Sequence, residues 1–161
     1  MVGTVVEHLN YEPWRFLASF AAVLFLVLNL AATAHLQRAQ FDRAIELYQR
    51  ALKLNPNSPY GRWYLAGIAD AHLNAGRFDE AIDWATRSLN TQAQGDVALI
   101  TLTVAYAMLD RMDEARAVLD RLQRHRPGLT IKTLMENLPT GRRNIGHSWV
   151  EGLRKAGLPE A

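Results

Sequence analysis

The stretch that decides the fold is Gly76-Arg77-Phe78-Asp79-Glu80-Ala81-Ile82. Gly76 is placed to end one helix, because glycine adopts the left-handed backbone that closes a helix. Phe78 then begins a second helix and fills the wedge between the two. Ala81 stands where the antiparallel helices approach most closely, a position that accepts only a small side chain. These residues predict a helical hairpin that turns at residue 76.

The same pattern occurs once before and once after this stretch. Its anchoring alanines are Ala44, Ala81 and Ala115, which are separated by 37 and 34 residues. A period of about 34 residues with helix–turn–helix punctuation indicates a repeat architecture. The three extra residues fall at 59–61, where a longer loop is tolerated at little cost. Proline then stops the second helix of the first and third units, at Pro56 and Pro127.

These segments resemble the tetratricopeptide repeat over residues 25–129. The resemblance implies an all-α fold, a helical-hairpin solenoid of three repeats at 25–58, 62–95 and 96–129. Each hairpin leaves one face apolar, so neighbouring hairpins stack to bury it. The resemblance also implies a protein that binds other proteins and has no catalytic activity of its own.

Residues 130–161 are predicted to form capping helices for this solenoid. One helix is expected from Thr130 to Leu138 and another from about Ile145 to Lys155, with Trp149 and Leu153 four residues apart on one face. Residues 149–160 resemble the carboxyl terminus of multidomain bacterial class III adenylate or guanylate cyclases. That resemblance implies a regulatory ancestry, since no part of the chain is left for a cyclase domain.

An uncharged run, Phe16–Ala34, follows the amino-terminal segment 1–15. A helix of that length, here placed at 16–36, matches the hydrocarbon core of a bilayer. Basic residues follow the run, so a spanning helix would anchor the chain in the inner membrane with its repeats in the cytoplasm. Two alternatives stay open: a cleaved signal peptide, or a core helix of a cytoplasmic protein, because residues 25–37 also fit the first helix of the first repeat.

Composition argues against several classes of function. The chain has no cysteine, which excludes disulfide frameworks and thiolate metal sites. Its 18 basic and 16 acidic residues leave a net charge of +2, whereas a nucleic-acid binder usually has a concentrated basic face. The five histidines form no metal-binding pair, and the serines and glycines form no nucleophile elbow or phosphate loop. We therefore expect no catalytic residue, no cofactor, no metal and no nucleic acid.

The predicted binding surface is the concave groove that the first helix of each repeat lines in this repeat class. Its predicted residues are Trp63, Ala66, Asp70, Leu73, Asn74, Val97, Ile100, Val104 and Met108. They are mostly apolar, so an amphipathic helix or an apolar peptide fits better than an acidic tail. The helix around Trp149 is an alternative occupant of this groove.

The sequence therefore predicts a scaffold or adaptor that binds a protein or peptide, and that is held at a membrane if Phe16–Ala34 spans it. The alternative is a regulatory fragment of a nucleotide cyclase or of a transcriptional regulator, without the catalytic or DNA-binding domain.

Overall fold

A computed structural model describes residues 13–54, 56, 58–91, 95–137 and 146–161, with side chains from residue 23 onward except 25, 146 and 147. This part of the chain is helical between short turns and contains no strand. Its helices are α1 (Pro13–Gln37), α2 (Phe41–Leu54), α3 (Gly61–Asn74), α4 (Phe78–Thr91), α5 (Asp96–Met108), α6 (Met112–His125), α7 (Ile131–Asn137) and α8 (Gly146–Ala156).

The first six helices form three hairpins, α1–α2, α3–α4 and α5–α6. Neighbouring hairpins stack through α2 against α3 and α4 against α5. The anchoring residues Ala44, Ala81 and Ala115 are fully buried, as expected for positions of closest approach. The predicted all-α helical-hairpin solenoid is confirmed.

The turn inside each hairpin has the same backbone geometry. Ala39, Gly76 and Asp110 are at equivalent positions and have φ of 56°, 74° and 58°. Around each of them a backbone N–H donates to the carbonyl five residues earlier, as in the motif that closes a helix with a left-handed residue. These bonds, each 2.9 Å long, are Gln40 N to His35 O, Arg77 N to His72 O and Arg111 N to Tyr106 O. The left-handed ends predicted at Gly76 and Asp110 are confirmed.

The carboxyl-terminal helices cap the third repeat. Helix α8 packs mainly on α5 and buries Trp149, Leu153 and Ala156. After α8 the chain returns to the start of α7, where the Ile131 N–H donates to the Pro159 carbonyl at 2.9 Å. The predicted ends at Leu138 and Ile145 lie outside the described residues, but both capping helices are present.

The amino-terminal helix is longer than the repeat pattern predicted, because α1 begins at Pro13 and includes the whole uncharged run. Near its carboxyl end, Ala32 and Leu36 are fully buried in the core with α2. The Thr33 hydroxyl lies 3.4 Å from that of Tyr48 on α2. This end of α1 is therefore a core helix of the first repeat, which was the alternative to a membrane span.

Among the described residues, no helix combines the length and the apolar character needed to cross a membrane. The side chains of the first part of the Phe16–Ala34 run lie outside the described residues.

Candidate functional site

The inner face of the solenoid carries two concave spaces of about 430 and 380 Å³. They share Trp63, Ala66, Asp96 and Val97 as walls, and we call them together the Trp63 groove. The Trp63 side chain is 50% exposed, although it stands among residues that are largely buried. A large aromatic ring is thus presented to solvent within a concave surface.

Five helices meet around the larger space. Its apolar wall is formed by Ile100 of α5, Leu134 of α7 and Trp149 of α8. Asn29 of α1 and Asn137 at the end of α7 add amide groups. The space combines an apolar lining with a few polar groups, which is the usual composition of a binding pocket.

An ion-pair cluster forms one edge of the groove. Asp96, in the first turn of α5, lies 2.6 Å from Nη1 of Arg126 and 3.2 Å from Nε2 of His125. These contacts join the start of α5 to the end of α6. The guanidinium of Arg62 lies 5.1 Å from the centre of the Trp63 ring, a cation–π distance that holds the ring in place.

Helix α8 covers the far half of the predicted groove. The indole Nε1 of Trp149 donates to Oδ1 of Asp70 at 3.0 Å, and the Ser148 hydroxyl donates to Oδ1 of Asn74 at 2.9 Å. Gly152 lies so close to Val104 that a Cβ at this glycine would be 2.5 Å from Cγ1 of Val104. Glycine is therefore required for α8 to reach this depth.

The nine predicted groove residues divide into two groups. Trp63, Ala66, Val97 and Ile100 line the open Trp63 groove. The others lie beneath α8 or in the core beside it: Asp70, Leu73, Asn74, Val104 and Met108. The role of either group in binding a partner stays a prediction.

Sequence reasoning missed part of the lining. Asp96 follows Gly95, the N-cap of α5, and its position in the first turn was a signal that pointed to this edge of the groove. Leu134 and Asn137 gave no such signal, because α7 lies outside the repeats and reaches the groove only through tertiary packing.

A second polar cluster lies away from the groove, between the first two hairpins. The Arg77 Nε–H donates to Nδ1 of His72 at 3.0 Å, and Nη1 of Arg77 lies 2.7 Å from Oδ1 of Asp42. Burial, with a smaller contribution from the Arg77 charge, lowers the pKa of His72. Burial also raises the pKa of Tyr64, whose ring lies against Tyr48, to about 12.

In the described part of the chain, no three histidine, aspartate or glutamate side chains come together in a way that could hold a metal ion. Absence of catalysis and of a cofactor remains a prediction.

Comparison with known proteins gives two matches. One of the membrane-complex proteins of Rubrobacter xylanophilus, an NADH-quinone oxidoreductase subunit, is 42% identical over 65 residues, which are 40% of this chain and 18% of that protein. The chain thus covers about a fifth of that relative. The resemblance of residues 149–160 to cyclase carboxyl termini stays a prediction. The profile of the tetratricopeptide repeat family matches residues 23–94, the stretch that holds most of the first two hairpins.

Proposed function

We propose that this protein is a non-catalytic scaffold whose Trp63 groove binds an amphipathic helix or another apolar segment of a partner protein. The tetratricopeptide repeats suggest a protein–protein interaction scaffold. The observation that carries the proposal is the half-exposed Trp63 ring, which forms a wall of both concave spaces. Exposed aromatic side chains in concave surfaces are the residues that most often dominate binding energy.

The lining indicates the chemistry of the partner. Ala66, Val97 and Ile100 offer an apolar floor that suits aliphatic side chains. Arg126 is already paired with Asp96 at 2.6 Å, which favours an apolar segment over an acidic tail. The amides of Asn29 and Asn137 supply polar points that could orient a bound backbone.

The extent of the site follows from the position of α8. Because Trp149 and Ser148 hold Asp70 and Asn74, the open groove ends at α8. We expect a bound segment to lie across α1, α3 and α5 and to stop at the Trp149 ring.

The experiment uses a fluorescein-labelled amphipathic peptide selected on the full chain from a displayed library of helical peptides. Replacing Trp63 with alanine is expected to weaken its binding about thirtyfold, which corresponds to about 2 kcal/mol. Tyr60→Ala is the matched control, since Tyr60 is an exposed aromatic side chain close to Trp63 in sequence that lines neither space. Equal affinity of the two variants would contradict the proposal, provided that both melt at the wild-type temperature.

Attachment to the inner membrane through Phe16–Ala34 is a finer possibility that competes with the packing of α1. Since Ala32 and Leu36 belong to the core with α2, residues 16–31 are what remains of the run. They would extend about 24 Å as a helix, short of the hydrocarbon thickness of about 30 Å. Carbonate extraction of membranes from cells that express the full chain tests this point, and release from the pellet would support packing over attachment.

The alternative of a regulatory cyclase fragment depends on residues 149–160. Three of them, Trp149, Leu153 and Leu158, are buried in the main core, so packing within this chain accounts for their pattern. That observation favours the scaffold. The match to an oxidoreductase component covers 18% of that protein, so we do not extend its activity to this chain.

A further inference from the structure

Helix α1 exposes a stripe of large aliphatic side chains. Val23, Leu26, Val27 and Leu30 are each 55–61% exposed, and their spacing places them on one face of the helix. The described residues hold only three other exposed large apolar side chains, Leu54, Tyr60 and Trp63. A contiguous aliphatic surface of this kind usually marks an interaction site. We call these four residues the α1 stripe.

The repeat register identifies what covers the same face elsewhere. Val27 and Leu30 correspond, 37 residues later, to Tyr64 and Gly67 of α3. Tyr64 is 3% exposed and packs on the Tyr48 ring of α2. A Cβ at Gly67 would lie 2.6 Å from Cζ of the same ring. In the second repeat, this face is therefore covered by the second helix of the preceding hairpin.

The third repeat has the same arrangement. The residues a further 34 positions on, Ala98 and Thr101 of α5, are both fully buried, and α5 packs against α4. The first repeat is the exception, since no hairpin of the described chain precedes α1. The α1 stripe is thus the first member of a series of helix–helix interfaces, and it lacks the helix that the others have.

The orientation of that missing helix follows from the later interfaces. Consecutive helices joined by short turns run antiparallel, so α2 is antiparallel to α3. A second copy of α1 in the equivalent place would run antiparallel to the first. Two identical antiparallel helices are related by a twofold axis, and such an interface closes at two copies.

The chemistry of α1 suits pairing with itself. Phe16–Ala34 carries no charge, so two copies bring no like charges together. Large side chains of this fold lie opposite small ones, as Tyr48 does on Gly67, and the α1 sequence supplies many alanines to lie opposite leucine. With 25 residues against the 14 of α2, α1 is also about 16 Å longer than the helix that covers its other side.

We propose that two copies of this chain associate through the α1 stripe, with their α1 helices antiparallel about a twofold axis. The contact takes the place that the second helix of a preceding repeat would occupy. It is separate from the Trp63 groove, and it leaves that groove open in both copies.

The first test is the mass of the full chain in solution, measured by sedimentation equilibrium over a wide range of concentration. The expected mass is twice 18.1 kDa. Leu30→Glu is expected to reduce it to that of one chain, because each copy would place a charge in the apolar contact. The matched control is Leu54→Glu, since Leu54 is 58% exposed on α2 and lies outside the stripe. This control should stay a dimer, and both variants should keep the helical circular dichroism of the wild type.

A second test locates the contact. The chain has no cysteine, so a single Val27→Cys substitution gives one reactive thiol near the middle of the stripe. A bismaleimide reagent is expected to link two copies of this variant, but not two copies of Leu54→Cys.

Three results would overturn the proposal. The first is a wild-type mass of one chain at every concentration. The second is a dimer that Leu30→Glu leaves intact, or that Val27→Cys fails to cross-link. The third is a single chain that binds phosphatidylglycerol–phosphatidylcholine vesicles through Leu30, which would assign the stripe to a lipid surface.

Discussion

At the scale of single residues, small side chains decide how closely the helices pack. Gly67 lets the Tyr48 ring lie against the backbone of α3, and Gly152 lets α8 lie against Val104 of α5. A methyl group at either glycine would be under 3 Å from its neighbour, closer than packed atoms approach. The depth of these contacts therefore depends on the absence of one carbon atom.

Left-handed backbone at the three hairpin turns is a second effect of single residues. Gly76 adopts it without strain, Asp110 belongs to a residue type that tolerates it, and Ala39 carries a steric cost because of its Cβ. The first turn thus has the same geometry as the second, with a less suitable residue.

Exchanging these residues tests that cost. Ala39→Gly is expected to raise the free energy of unfolding by about 1 kcal/mol, the relief of strain being partly offset by the greater freedom of glycine in the unfolded chain. Gly76→Ala should lower it by a similar amount, because a Cβ there meets nothing within 4 Å and only the backbone conformation is strained. Urea denaturation measures both variants, and changes of the same sign would contradict this explanation.

At the scale of elements, polar contacts supplement the apolar packing between hairpins. Arg77, in the turn between α3 and α4, donates to His72 near the end of α3 and pairs with Asp42 at the start of α2. The donor to Nδ1 requires that this nitrogen of His72 be unprotonated. The cluster therefore links the first two hairpins in a way that depends on pH.

This cluster predicts how stability changes with acid. The pKa of His72 is lowered from 6.5 by burial and by Arg77, against smaller opposing effects of Glu80 and Asp42. The unfolded chain thus binds a proton more readily than the folded one, and stability falls as the pH decreases below about 6.5. His72→Gln keeps an acceptor and cannot titrate, so its melting temperature should fall less over this range. Equal acid slopes for the two proteins would rule the explanation out.

At the scale of the whole molecule, the described chain has two hydrophobic clusters. The smaller one joins α1, α2 and α3, and the larger one joins the second and third repeats to α7 and α8. A solenoid must cover the apolar face of its last repeat, and α8 does so from the concave side. The cap therefore stabilises the fold and also limits the length of the open groove.

The contribution of α8 to stability can be measured with one buried and one surface substitution. Leu153 is fully buried, so Leu153→Ala should lower the free energy of unfolding by about 2–5 kcal/mol. Lys155 forms an exposed 2.6 Å ion pair with Asp110, and Lys155→Ala should change it by at most about 1 kcal/mol. If both variants unfolded at the same urea concentration as the wild type, α8 would not belong to the cooperative core.

Much of the binding surface was predictable, because a repeat register assigns equivalent positions without knowledge of tertiary contacts. Trp63, Ala66, Val97 and Ile100 were placed in the groove in this way, and they line the two concave spaces. Asp70 and Asn74 were assigned by the same register, yet their side chains bind α8. The register describes one repeat at a time, and it contains no information about a helix outside the repeats.

The sequence by itself determined the hairpins, their turns and their stacking, since helical periodicity, small residues and left-handed positions act over a few residues of chain. Only the tertiary structure decided that Trp149 donates to a carboxylate 79 residues earlier and that α8 covers half of the groove. It alone also showed that one end of α1 is buried while Val27 and Leu30 remain exposed. Such contacts depend on shape and on hydrogen-bond partners that are distant in sequence, which local pattern cannot specify.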